Sequence, residues 1–328
     1  MQRVLRGVSL NQEQMVLAIS AVLFVLFSMT LDGFLQVPNL LSLLQNVSIL
    51  GILAIGMAIV VIGRGIDLTM VAVMVFMVGW SFSLYLKGME IGVALGLGFL
   101  LAVAVGALNG FLIAYVEIPA IFATLAMATV ISGLGRFALV DTDTLFITQD
   151  LGLLGQLGAG RLAGIIPMPV ISLLVLSLLA YVALKFTRYG AFIYAIGDNY
   201  LAARNNGTPN RPMTVLMYAI SAAVAFAAGL IMTTTVSTVD TKLAYSALVY
   251  DIILVVVIGG IGLSGGKGSI RNVLSGTLLI GLLLNGMTIM NISYSVQSII
   301  KGVILLLAII VDSLINPRDE QTSQQGDI

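Results

Sequence analysis

Apolar residues run through this chain in long blocks separated by short polar dividers. Ten blocks stand out, at about 13–33, 43–63, 68–86, 91–116, 121–140, 166–186, 213–235, 248–263, 270–290 and 296–315. A helix needs about 20 mainly apolar residues to cross a bilayer. The pattern therefore predicts an all-α polytopic membrane protein with about ten transmembrane helices. Two dividers are thin: GRGIDLT at 63–69, and the glycine-rich SGGKGSIR at 264–271. The span boundaries they mark are the least sharply drawn.

Two loops are long. One, 141–165, carries Asp141, Asp143, Asp150 and several glycines. The other, 187–212, reads TRYGAFIYAIGDNYLAARNNGTPNRP and is the most polar stretch away from the ends. Asp198 is a candidate helix cap there, with helix formers from Asn199 to Arg204, and Gly207 and Pro209 supply a stop. One short helix is expected in this loop. The segment after Pro317, RDEQTSQQGDI, is polar enough to predict disorder. The organisation expected is one transmembrane unit over 1–316 and a tail over 317–328.

Composition agrees with the blocks. Hydrophobic residues make up 59% and charged residues 9%, against about 45–50% and about 25% in soluble domains. Ten spans use about 200 residues, which leaves no room for a soluble catalytic domain. The first apolar run, Met15–Leu31, has no small-residue cleavage site after it and reads as a span that stays. Basic residues set the orientation. With the N-terminus inside, Arg3, Arg6, Arg64, Lys185, Arg188, Arg204, Arg211, Lys267, Arg271 and Arg318 fall on the cytoplasmic side, against Lys87, Arg136, Arg161 and Lys242 outside. Both termini are then cytoplasmic.

Cysteine and histidine are absent, so no metal site, disulfide or histidine base is expected. Net charge is zero with no basic stripe, which gives no support to nucleic-acid binding. GLSGGKGS at 262–269 fails as a phosphate loop. Lys267 is followed by Gly268, and Ile261 stands where the first glycine is required. It reads as a tight turn between helices, and any ATP that powers the protein binds another chain.

Charges within or near spans are expensive and are functional candidates by default. Arg64, Lys301 and Asp312 read first as buried pairs or as residues snorkelling to an interface. Asp67 and Asp251 each abut a polar or glycine-rich break, and are candidates for a solute path as well as for such pairs. Asn46, Asn109, Thr124, Thr129, Ser132, Asn285 and Gln297 suit a hydroxyl-rich neutral solute, or hydrogen bonds between helices. Glycine spacings at Gly92, Gly96, Gly276 and Gly281 read as helix packing.

Four stretches now carry a resemblance: GIDLTMVAVM (65–74), GALNGFLIAYVEIPAIFATLAM (106–127), YGAFIYAIGDNYLAARNNG (189–207) and YDIILVVVIGGIGLSGGKGSIRNVLSGTLLIGLLLNGMTIM (250–290). In that order they resemble the inner-membrane permease of bacterial sugar ABC importers of the ribose, xylose and galactose type, over about residues 45–315. The resemblance implies a ten-helix fold and a permease dimer, with a second copy or a related chain. It also implies two ATP-binding subunits and a periplasmic sugar-binding protein that delivers the substrate. The inner loop then carries the helix that docks on the ATPase, at Gly197, Asp198, Asn199, Ala202, Ala203, Arg204 and Gly207. The family usually continues after AAR with an aliphatic residue, a small residue, glycine and isoleucine; Asn205, Asn206, Gly207 and Thr208 stand here, a more polar docking surface.

The function expected is permeation of a sugar or sugar-like polyhydroxy solute across the bacterial inner membrane, with no covalent chemistry and no cofactor in this chain. Candidate path residues are Asn46, Asp67, Asn109, Thr124, Asp251, Asn285 and Gln297. The breaks at 63–69 and 259–268 are expected flexing points, with Gly265 and Gly266 the positions to test. A secondary carrier or channel is the competing class and would show inverted repeats. A membrane enzyme of lipid metabolism would need a polar catalytic cluster at one interface. Neither signature stands out.

Overall fold

The computed structural model describes residues 12–149 and 151–315. Arg3, Arg6, Asp150, Arg318 and the expected tail 317–328 lie outside the described residues, as does the side chain of Asp312. Every apolar block of the sequence is a helix. In chain order the helices are α1 (Gln12–Thr30), α2 (Val37–Ile62), α3 (Met70–Leu86), α4 (Ile91–Ala114), α5 (Ala120–Leu134), α6 (Gln156–Ala159), α7 (Met168–Phe186), α8 (Arg188–Asp198), α9 (Tyr200–Asn205), α10 (Asn210–Val236), α11 (Leu248–Gly259), α12 (Ile270–Ile289) and α13 (Tyr294–Ile315). A π turn, Gly135–Leu139, extends α5.

Among the described residues, eight helices are long and apolar enough to cross a membrane, α5 together with its π turn. The two other apolar blocks fall short because breaks cut into them: α3 has 17 residues and α11 has 12. The α3 helix cannot start before Met70 because Asp67 and Thr69 are tied into a turn. The α11 helix stops where Gly260 turns left-handed, at φ 104°.

The core is built on the C-terminal half of α2, where every residue from Leu50 to Ile62 is buried, on α3 from Met70 to Gly79, and on α11. Helices α4, α7, α10 and α12 surround them, and α1, α5 and α13 lie outside. The α4–α10 seam is close because Gly106 and Gly110 sit on it. A Cβ on Gly106 would strike the Tyr218 carbonyl, and one on Gly110 would lie 2.5 Å from the Val215 Cα. Gly276 and Gly281 also pack closely, against α11 and Val47. Gly92 and Gly96 do not: open space lies beside Gly96, and Gly92 faces only the Glu90 side chain that caps α4.

The 141–165 loop is not all helix. Strand β1 (Thr144–Phe146) precedes the short pair β2 (Arg161–Leu162) and β3 (Ile166–Pro167), and pairs antiparallel with β4 (Thr238–Asp240), Thr144 opposite Asp240. Asp143 clasps both sides of this ribbon, taking Arg136 on one oxygen and Lys242 on the other at 3.3 Å. The Lys242 hydrogen bond and the Arg136 charge hold Asp143 below the usual carboxylate range.

Candidate functional site at the inner loop and the polar break

The inner loop folds as two helices rather than one. Thr187 accepts from the Gly190 N–H and starts α8, whose Ile193 and Ile196 share a buried face. That apolar pair three residues apart is the signal that marks α8 in the sequence. Asp198 ends α8 and does not cap α9. Asn199 does: it breaks the chain at φ −152°, ψ 106°, and its Oδ1 accepts from the Ala202 N–H at 2.9 Å. After Asn205 the chain closes with the Thr208 N–H on the Ala203 carbonyl, the Gly207 N–H on the Arg204 carbonyl, and Gly207 at φ 81°. Asn210, buried at the start of α10, donates to the Tyr200 carbonyl at 2.8 Å. The loop therefore has a fixed underside, Gly197 and Ala203. Its exposed side carries Asp198, Asn199, Ala202, Arg204 and Gly207.

The underside rests on backbone. Gly266 N–H donates to the Ile62 carbonyl at 2.8 Å, joining the 262–268 turn to the end of α2. Gly197 lies against that same carbonyl and the Gly266 nitrogen, and any Cβ there would overlap both. A Cβ on Gly266 would approach the Asp198 Cα to 2.7 Å. Tyr194 Oη donates to the Gly268 carbonyl at 2.7 Å. Three chain segments thus meet with no side chain between them.

Just beyond Ile62 lies the polar break. Asp67 is fully buried. Its Oδ1 accepts from the Thr69 N–H at 3.0 Å and the Thr69 hydroxyl at 2.5 Å, and its Oδ2 from the Ser221 hydroxyl at 2.7 Å. Asn109 Nδ2 donates to Thr69 Oγ1 at 3.1 Å, leaving Asn109 Oδ1 buried and unpartnered. Thr124 and Tyr218 donate to the Ile66 carbonyl, each at 3.3 Å. The structure thus brings Asp67, Asn109 and Thr124 together. Sequence reasoning missed Thr69, Tyr218 and Ser221; the one available signal was Thr69, inside the same motif.

Apart from Asn109 Oδ1, the cluster spends its polar groups on itself, with Asp67 closing a turn on the Thr69 N–H just ahead of α3. Asp67→Ala would leave the Ser221 and Thr69 donors buried without their acceptor. It is expected to cost about 2–3 kcal/mol, read as a lower thermal midpoint in detergent, with Asp67→Asn recovering most of it. Equal midpoints for Asp67→Ala and the parent protein would remove this role.

The other path candidates lie apart. Asn46 is exposed on α2. Asn285 exchanges hydrogen bonds with Asn39, at 2.8 and 3.2 Å, tying α12 to α2. Gln297 donates to the Ile292 carbonyl within the α12–α13 turn. Asp251 pairs with Lys301, Nζ standing 2.7 Å from Oδ1 and 2.8 Å from Oδ2, and both residues are buried. A cavity of about 440 Å³ separates the break from the inner loop, between Arg64, Glu117, Tyr200, Arg204 and Tyr218. Glu117, at its rim, is paired with Arg211 at 2.9 Å.

Comparison with known proteins gives this geometry a context. Residues 39–309 match the family described as the branched-chain amino acid transport system permease component. The ribose import permease protein RbsC of Escherichia coli strain K12 is 33% identical over 307 residues, 92% of this chain and 94% of the relative. RbsC of Bacillus subtilis strain 168 is 33% identical over 294 residues, 89% of each chain. The L-arabinose ABC transporter permease protein AraH of Azospirillum brasilense is 31% identical over 291 residues, 89% of this chain and 84% of the relative. No solved structure matches the chain. With a match over most of its length and relatives this similar, the chain belongs to this family of membrane-embedded permease components.

Proposed function

We propose that this chain is the permease subunit of an ATP-driven importer that carries a sugar or a sugar-like polyhydroxy solute across the bacterial inner membrane. The observation that carries the reading is the inner loop. Its exposed side is short, rigidly capped and polar, and its underside bears directly on the end of α2 and on the 262–268 turn. A lever of this kind serves a partner that pushes on it. The names of the relatives, permeases for ribose and arabinose, support the solute class.

In this reading α3 and α11 complete ten spans, both termini face the cytoplasm, and the membrane unit is single. Two ATP-binding subunits dock on the exposed Asp198, Asn199, Ala202, Arg204 and Gly207, with the buried Gly197 and Ala203 holding that surface from beneath; a periplasmic binding protein docks on the 141–165 side, and two permease chains pair. ATP binding favours one packing of the helices over the other, and that difference in affinity biases the switch. Asp67, Asn109 and Thr124 stabilise the break on which the lever acts. Asn46 is the path candidate whose side chain is free to meet a solute or the second permease. The hydrolysis belongs to the partner chains.

Affinity purification from the native membrane tests this. An ATP-binding subunit is expected to accompany the tagged parent protein. Arg204→Glu is expected to release it while the permease keeps its thermal midpoint. A chain that purifies alone and moves solute into vesicles without ATP would be a secondary carrier.

A further inference from the structure

A second cavity, of about 340 Å³, opens where the inner ends of α7, α8 and α12 meet. Tyr181, Lys185, Thr187, Tyr194, Ser269 and Ile270 line it. Lys185 Nζ donates to Tyr181 Oη at 2.7 Å and stands over the Tyr181 and Phe186 rings, at 5.1 and 5.5 Å. Arg271 directly follows Ile270 of the cavity wall in the chain, and its charge acts on the same phenol. Arg188 follows Thr187 in the chain, and Lys267 lies two residues before Ser269. These four cations are exposed. None of them has a carboxylate within ion-pair distance among the described residues, whereas Arg136, Arg211, Lys242 and Lys301 each do.

The cavity wall holds no acid, so its field is positive. Ser269 and Ile270 are the cap and first residue of the 20-residue α12 helix, and the positive end of that helix adds to the field. Directly beside the opening, α7 exposes Leu178, Leu179, Val182 and Phe186. A charged opening at the end of a spanning helix, continuous with an apolar flank, matches a ligand that is anionic at one end and apolar at the other.

We propose that this cavity binds the phosphate headgroup of an anionic phospholipid of the cytoplasmic leaflet, its acyl chains lying along α7. The inference rests on the cytoplasmic placement of the 187–212 loop within the proposed function. Lys185 and Arg271 hold the phosphate, and Tyr181 sets the spacing between them. Arg188 and Lys267 raise the local concentration of anionic lipid.

The test uses the full chain in detergent with phosphatidylglycerol and phosphatidylcholine as probes, bound lipid being counted by native mass spectrometry. The parent protein is expected to retain phosphatidylglycerol over phosphatidylcholine. Each surface cation contributes about a fivefold factor in affinity for anionic lipid, so Lys185→Gln with Arg271→Gln is expected to weaken retention about 25-fold. Lys185→Arg with Arg271→Lys should keep it, which separates lost charge from misfolding. Unchanged retention in the glutamine variant overturns the site. Displacement by millimolar inorganic phosphate overturns the lipid as its ligand. Orientation is read separately: the chain has no cysteine, so Arg188→Cys gives one labelling site for an impermeant maleimide. Labelling from the periplasmic side would overturn the placement itself, and the proposed function with it.

Discussion

Lys301→Met is expected to lower the folded yield of the protein sharply. Lys301 is buried beside Asp251 and lies 5.6 Å from the Tyr294 ring, whose hydroxyl accepts from the Ala247 N–H at 3.3 Å. Helix α13 is otherwise largely uncovered and packs chiefly on α11. Removing the ammonium leaves a carboxylate buried in low dielectric without its partner. Such a loss costs about 3–5 kcal/mol, out of the roughly 5–15 kcal/mol that a fold of ordinary stability possesses. Replacing both charges at once is a different matter, because an apolar pair of similar size is often neutral or better. Asp251→Val in the Lys301→Met background is therefore expected to recover most of the loss. The readouts are monodisperse yield in mild detergent and thermal midpoint. A single variant as stable as the parent protein would show that the pair does not hold α13.

Gly266→Ala is expected to uncouple rather than unfold. At φ 71°, alanine carries the strain of a left-handed residue, about 1–2 kcal/mol. Its Cβ also meets the Asp198 backbone at 2.7 Å, which no rotamer change relieves. Gly197→Ala drives α8 away from the Ile62 carbonyl in the same manner. Both changes lie on the underside of the loop and leave its exposed docking side intact. The expected phenotype is an ATP-binding subunit that still co-purifies and still hydrolyses ATP, with solute uptake down about tenfold, the factor that 1.4 kcal/mol of misalignment produces. Gly207→Ala is the comparison: its φ is 81° but open space surrounds it, so strain acts there without a clash. Normal uptake with Gly266→Ala would show that the junction transmits nothing.

These two sites show what the sequence exposed and what it hid. Apolar blocks located the eight helices long enough to span among the described residues, because lipid imposes a length and a composition that local sequence must satisfy; two further blocks give shorter helices. Gly265 and Gly266 drew notice as flexible positions, yet their use is contact: absence of a side chain lets three backbones meet. That depends on Ile62 and Gly197, distant in sequence, and no local pattern reports it. Ser221 was equally hidden, a lone hydroxyl in an apolar helix that acquires meaning only opposite Asp67. The loop pattern points to one helix capped by Asp198, whereas two form and Asn199 caps the second; both residues are good caps, and adjacent cap formers do not show where the chain turns. Asp251 and Lys301 were each visible as costly charges, but 50 residues separate them, and only the fold makes them partners.

The burial of α2 also bears on the order of synthesis. From Leu50 to Ile62 the helix touches protein on every side, yet its sequence is apolar all round, as though made for lipid. Its covering helices α7, α10 and α12 begin at Met168, Asn210 and Ile270. At translation rates of about 5–20 residues per second, α2 waits roughly five to twenty seconds before α7 arrives, and longer for α10. During that interval its neighbours are acyl chains, so a polar stripe suited to the finished interior would stall its insertion. The middle of this protein is thus selected for two surroundings in succession. Its polar chemistry is gathered at the 63–69 end, where Asp67 can remain near water until Ser221 is made.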